Sequence, residues 1–179
     1  KSNHKKIVAI GETGLDYFRV KDNLDWQRDR FRVHIRAAIA CNKPLIIHTR
    51  DAPEDTIRIL REEKAEKVGG VLHCFTESLE MAKMAIDLNF LISLSGIVTF
   101  KNAHQVQKVA KEISLENLMI ETDSPFLAPV PFRGKTNEPS YVVQVARKIS
   151  EIKGESVETV AKITRKNFIS FINMSSELS

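Results

Sequence analysis

The chain alternates short, wholly apolar runs with longer segments of helical period. Ile7-Val8-Ala9-Ile10-Gly11, Pro44-Leu45-Ile46-Ile47, Gly70-Val71-Leu72, Phe90-Leu91-Ile92-Ser93-Leu94-Ser95 and Leu118-Met119-Ile120 are the β-rich runs. Continuous apolar runs of this length are expected of parallel strands covered on both faces. Between them, residues 23–41 place Phe31, Ile35, Ala38 and Ile39 on one helical face. Pro53 suits the first turn of a second helix ending near residue 63, with Asp51 as its N-cap, and Ser78 can start a third that runs to residue 88. Val142, Val145, Ala146, Ile149 and Ile152 mark an amphipathic helix stopped by Gly154, and a last helix from Ser156 is expected to bury Val160, Phe168 and Phe171. Five strand–helix units in succession require right-handed crossovers in a parallel sheet. The predicted class is α/β, either a doubly wound sheet or part of an eight-stranded barrel.

Four of the runs lead directly into a side chain able to bind a metal: Glu12, His48, His73 and, after Glu121-Thr122, Asp123. In both architectures the carboxyl ends of the strands share one mouth, so these four residues are expected to meet in space. Ligand types at several strand ends, instead of one switch point, favour the barrel. A mixed carboxylate and imidazole cluster there is a metal-hydrolase constellation. A buried, unpaired Glu12 would be costly, which leaves pairing or metal binding. The competing role for Asp123 is a helix N-cap. Glu121 lies two residues earlier on the same strand face, one layer below, where it can hydrogen-bond a metal-bound imidazole. The fourth strand ends at Gly96 with no ligand type and is expected to supply wall and backbone.

Cationic candidates are fewer. Arg50 is expected either to contact phosphate or to pair with Asp51 or Glu121. The segment 123–139 holds four prolines and carries Arg133 and Lys135, read as phosphate contacts or as ordinary surface cations. Asp16 and Tyr17 line the mouth or serve turn and core roles, while surface or packing roles suit His34 and His104. The net charge of +4 is spread along the chain, with 27 basic against 23 acidic residues. It favours anionic partners only weakly, and no aromatic-rich basic stripe stands out. With 179 residues, 42% of them hydrophobic, residues 1–179 are expected to form one metal-dependent hydrolase domain. A complete barrel takes roughly 250 residues, so about three strand–helix units are not accounted for. No run reaches the ~18 apolar residues of a membrane span, and the basic start leads into a strand instead of a signal sequence, so no membrane partner and a cytoplasmic location are expected. Cys41 and Cys74 form no close pair and are expected to be reduced.

Gly11-Glu12-Thr13-Gly14-Leu15-Asp16-Tyr17, Ile47-His48-Thr49-Arg50-Asp51-Ala52, Leu72-His73-Cys74-Phe75 and Glu121-Thr122-Asp123-Ser124-Pro125 resemble, in order, the signatures of the TatD family of metal-dependent deoxyribonucleases. The resemblance continues through Arg133-Gly134-Lys135 and Asn137-Glu138-Pro139, is closest to the YcfH-like branch, and covers essentially the whole chain. It implies a TIM-barrel hydrolase with two divalent ions (Mg, Mn or Zn), cleaving DNA phosphodiesters as a 3′-5′ exonuclease that takes a free 3′ end, and a monomer. Carried over, Glu12 bridges the two ions, His48 and His73 complete the second site, and Asp123 binds the first, with Glu12 and Asp123 the catalytic pair. Such enzymes use two metals to activate water and stabilise an in-line displacement. The family's first site also takes a His-x-His pair from its opening strand, for which this sequence has no counterpart. His4 stands alone in a basic leader and is read as solvated. The sequence therefore enters the pattern at its fourth strand and corresponds to the last five strand–helix units. Two other readings remain, a barrel hydrolase of small esters or amides and a metal-binding remnant without turnover.

Overall fold

The structure is a computed structural model that describes residues 6–173, so His4 lies outside the described residues. Its framework is β1 (Ile10–Asp16), α1 (Asp25–Cys41), β2 (Leu45–Arg50), α2 (Pro53–Glu62), β3 (Gly70–Leu72), α3 (Leu79–Ile86), β4 (Phe90–Leu94), α4 (His104–Glu112), β5 (Leu118–Ile120), α5 (Val142–Lys153) and α6 (Val157–Asn173). All four strand pairings are parallel, and the sheet order follows the chain order, β1-β2-β3-β4-β5. A doubly wound sheet reverses direction at a switch point, whereas a singly wound order is that of a barrel wall. The wall is not closed: among the described residues β1 and β5 each pair on one side only.

Alternation along the strands sorts the residues between two faces. Leu45, Ile47 and Thr49 of β2, Leu72 of β3, and Phe90, Ile92 and Leu94 of β4 are buried among the helices. The helices meet them with the expected stripes, Phe31, Ile35 and Ala38 from α1 and Val145, Ala146 and Ile149 from α5. Local chemistry sets the helix ends. Asn42 caps α1 in the left-handed conformation, the Ser78 hydroxyl accepts the Met81 N–H at 3.1 Å, and Gly154 ends α5 with a positive φ. Buried Asn167 donates to the carbonyls of Leu115 and Leu118, each at 2.7 Å, and so fastens α6 to the start of β5.

Four local expectations are corrected. The first strand begins at Ile10, not Ile7, because its partner β2 begins only after Pro44; Ile7 and Val8 are exposed. Glu12 accordingly sits inside β1 and is exposed, not buried at its end. Asp51 does not cap α2: it has a φ of 54°, and Ala52 occupies the cap position without a side-chain bond. Phe168 is 50% exposed, because the buried stripe of α6 runs through Val160, Thr164, Asn167 and Phe171.

Candidate metal centre

The pairing of β1 with β2 contains an irregularity that decides the site. Ile10 pairs with Leu45 and Thr13 with Ile47, so three steps on β1 face two on β2. This extra residue, a β-bulge, lets Thr13 and Leu15 point into the helical layer while Glu12, Gly14 and Asp16 share the other face. Gly14 pairs with His48 so closely that a Cβ would lie 1.9 Å from the His48 carbonyl oxygen, and its φ of 140° suits glycine alone. Strand alternation then brings His48 and Arg50 of β2, Ser93 of β4 and Glu121 just after β5 to the same face, with His73 just after β3.

The result is one connected cluster. His48 Nδ1 lies 3.0 Å and His73 Nε2 2.8 Å from the same Glu12 oxygen, Oε1. Each ring turns its other nitrogen to a further carboxylate, His48 Nε2 to Asp16 at 3.3 Å and His73 Nδ1 to Glu121 at 3.3 Å. Ser93 donates to the second Glu121 oxygen at 2.5 Å. Glu12, His48 and His73 offer ligand atoms within 4.8 Å of one another, and so do His73, Glu121 and Asp123.

The charges in the cluster are out of balance in favour of a cation. Burial alone would lower the His73 imidazole, but the Glu121 hydrogen bond and the charges of Glu121 and Glu12 overcome it and push it up to about 9. Burial would raise Glu121, yet its bonds from His73 and Ser93 hold it below the usual range. Asp123 is raised by burial and by the neighbouring Glu121 and Glu12 charges. Several carboxylates crowded around two imidazoles are a donor set that fits a divalent ion. Cys74, beside Ser95, is pushed up to about 12 by burial, which leaves no thiolate nucleophile at neutral pH.

The cluster forms the floor of a cavity of about 730 Å³, walled by Arg19, Thr49, Arg50, Cys74 and Thr76 together with the apolar Ile97, Phe126 and Leu127. The structure brings Glu12, His48, His73, Arg50 and Asp123 to this cavity, with Glu121 directly behind His73. Arg133 and Lys135 are not in its wall. The Arg133 guanidinium lies 3.8 Å from the Phe100 ring centroid and donates to the Ala128 carbonyl at 3.1 Å, so it braces the proline-bearing loop. Arg50 forms no ion pair with Asp51 or Glu121 and instead stacks on Phe18 at 3.8 Å. Asp123 caps no helix; it has a φ of 57° and opens a turn closed by the Phe126 N–H.

Two residues take parts in the site that the sequence does not announce. Asp16 is expected at the mouth or in a turn or core role, and nothing in its strand pattern points to His48. Asn137 is buried and donates to the carbonyls of Thr122 and Phe126, at 2.7 and 2.6 Å, so it pins both sides of Asp123. Cys41 and Cys74 are both free cysteines, each partly buried. Among the described residues no helix is long and apolar enough to cross a membrane.

Comparison with known proteins agrees with the sequence motifs. The chain is 54% identical over 166 residues to a protein named as the uncharacterized metal-dependent hydrolase YabD of Bacillus subtilis (strain 168), covering 93% of this chain and 65% of that protein. It is 52% identical over 162 residues to the uncharacterized metal-dependent hydrolase YcfH of Escherichia coli (strain K12), covering 90% of this chain and 61% of that protein. The chain thus spans just under two thirds of the length of these curated relatives. Among solved structures, the TatD homolog YJJV from Escherichia coli K12 superposes with a TM-score of 0.87 at 26% identity, over 93% of this chain and 64% of that one. A hydrolase of the TatD family from Entamoeba histolytica has the same fold, with a TM-score of 0.82 at 24% identity, over 93% of this chain and 63% of that one. The family model for TatD-related DNases matches residues 1–173, and the chain belongs to that family.

Proposed function

We propose that this chain carries the metal centre of a metal-dependent hydrolase that cleaves DNA phosphodiesters, acting as a 3′-5′ exonuclease with two divalent ions. One observation carries the reading: two histidines offer ring nitrogens to one Glu12 oxygen on the floor of an open cavity, with Asp123 beside them. Glu12, His48 and His73 would hold one ion, and Glu12 with Asp123 would contribute to the other. When bound, such ions supply Lewis acidity toward a phosphoryl oxygen and lower the pKa of water. Zinc, manganese and magnesium all remain compatible with mixed imidazole and carboxylate donors.

The chain's own residues would do the rest. Glu121 and Asp16, each facing the outward nitrogen of a histidine, fix ring orientation and tautomer. Asp123 would take a proton from the attacking water. Arg50 and Arg19 in the wall would neutralise the phosphate as it enters, and Ile97, Phe126 and Leu127 would exclude bulk water. The substrate would enter by a free 3′ end.

The test is hydrolysis of 5′-labelled single-stranded DNA with magnesium or manganese and with EDTA, on the wild type and on Glu12→Gln. Stepwise shortening that EDTA and Glu12→Gln both stop is the expected result. Shortening that Glu12→Gln leaves unchanged would remove Glu12 from the chemistry. Turnover of small esters or amides with intact DNA would replace the nuclease reading by the alternative hydrolase, and metal binding without any turnover would identify a remnant.

A further inference from the structure

Arg50, in the wall of the metal-centre cavity, is held differently from the arginines of the helices. Arg28, Arg32, Arg36 and Arg58, on α1 and α2, each meet at least one carboxylate within 3.0 Å. Among the described residues Arg50 has no ion pair, and its guanidinium carbon lies 3.8 Å from the centroid of the Phe18 ring. The carboxylate opposite it in the sheet is already engaged. Asp16 pairs in register with Arg50, but one of its oxygens faces His48 Nε2 at 3.3 Å and the other accepts the Arg19 N–H at 2.9 Å.

The place of the ring is fixed from both sides. The Tyr17 N–H donates to the Arg50 carbonyl at 2.9 Å, which carries the β1–β2 ladder on to the residue before Phe18. The Tyr17 hydroxyl is anchored in turn to Asp55 of α2 at 2.6 Å. On the far side Arg19 is tied back to Asp16, so Phe18 sits between two tethered residues. Arg50 lines the cavity and Phe18 does not, so the ring touches the guanidinium and not the cavity's contents.

This choice of partner has a chemical consequence. A carboxylate would cancel the charge of Arg50 and occupy its donors, whereas a ring face holds the guanidinium and leaves the charge and the N–H groups at its edge available. A guanidinium kept in that state can take a phosphate oxygen pair in bidentate fashion. We propose that Phe18 is a positioning residue: it holds Arg50 so that the guanidinium meets a phosphate group of the ligand at the metal centre, and it contacts no ligand itself. The assignment rests on the reading of this cavity as a phosphodiester site and adds the residue through which its wall arginine is aimed.

The experiment measures binding of thymidine 5′-monophosphate to the manganese-loaded chain by isothermal titration, for the wild type, Phe18→Leu, Phe18→Tyr, Arg50→Ala and the double variant Phe18→Leu/Arg50→Ala. Far-ultraviolet circular dichroism and manganese affinity are recorded for each. Arg50→Ala is expected to weaken binding by about tenfold or more, and Phe18→Leu, which keeps the apolar bulk and removes the π face, by roughly three- to tenfold. Phe18→Tyr restores most of that loss, and Phe18→Leu costs nothing further once Arg50 is gone. The manganese affinity of Phe18→Leu stays that of the wild type. Wild-type phosphate affinity in Phe18→Leu, an equal loss with and without Arg50, or a parallel fall in manganese affinity would overturn the assignment, as would failure of the wild type to bind the monophosphate. Coupling between Phe18 and Arg50 in a chain that leaves labelled DNA intact would support it while refuting the nuclease reading. Metal-dependent shortening of DNA without that coupling would do the reverse.

Discussion

His48 and His73 present different ring nitrogens, Nδ1 and Nε2, to one Glu12 oxygen, and each has a carboxylate behind it. That symmetry gives Asp16 and Glu121 the same task. Outer carboxylates of this kind typically change metal affinity by roughly 10–100-fold. Asp16→Asn is therefore expected to weaken manganese binding within that range while leaving the fold intact, as read by isothermal titration; unchanged affinity would show that Asp16 does not orient His48. An apolar run that stops at a ligand type is a local signal, and it points to His48, His73 and Asp123 although His48 sits inside β2 and Asp123 three residues past β5. Glu121 lies one residue past the end of β5, outside the strand whose alternation suggested its place, and it meets His73 all the same. The part of Asp16 was not legible, because its relation to His48 depends on pairing across strands 32 residues apart. Arg50 and Phe18 illustrate the same limit: their stacking joins positions that no spacing rule connects.

At the scale of elements, the site depends on how closely strands and loops approach. Gly96 lies two residues past β4, where a Cβ would stand 2.1 Å from the Leu127 carbonyl oxygen. It lets the loop bearing Asp123, Phe126 and Leu127 lie against the sheet. Gly96→Ala is expected to cost about 1–3 kcal/mol, as overpacking against backbone does, and to displace that loop; a urea melt with the wild-type midpoint would contradict this. A second device joins β1, α1 and α2. Tyr17 donates to Asp55 at 2.6 Å, and Arg28 and Arg58 pair with the same carboxylate at 2.7 and 2.5 Å. Burial would raise the Asp55 carboxyl, but these three bonds outweigh it and hold it far below the usual range. A folded value below the unfolded one of 3.8 means that the stabilisation is complete above pH 3.8 and is lost as pH falls through the window beneath. Asp55→Asn is expected to lower stability at pH 7 by about 1–2 kcal/mol, discounted for partial exposure, with the gap to wild type beginning to narrow by pH 3 and closing only at still lower pH. A gap independent of pH in urea titrations at pH 3, 5 and 7 would contradict the assignment. The helices were legible because their stripes are periodic. The start of β1, the bulge and the cap of α2 were not, since each is set by the partner strand or by a local positive φ.

For the molecule as a whole, the sheet order and the mouth are consistent with each other. A singly wound parallel sheet sends every strand's carboxyl end to one side, where His73, Glu121 and Asp123 follow their strands and meet Glu12 and His48 from within β1 and β2. The apolar pattern alone left two architectures open, and strand order separates them, since neighbours in sequence are neighbours throughout the sheet. The charge picture needed the structure more. An overall charge of +4 suggested only a weak preference for anions, whereas Arg19 and Arg50 both stand in the wall of the metal-centre cavity. The central claim is that the strand ends form a metal centre on Glu12. It is tested most directly by titrating the chain with manganese and counting bound ions by electron paramagnetic resonance, for the wild type, Glu12→Gln and His73→Asn. The expected result is saturable binding by the wild type that weakens by at least tenfold in both variants. Wild-type affinity retained in Glu12→Gln, or no saturable binding by the wild type, would contradict it.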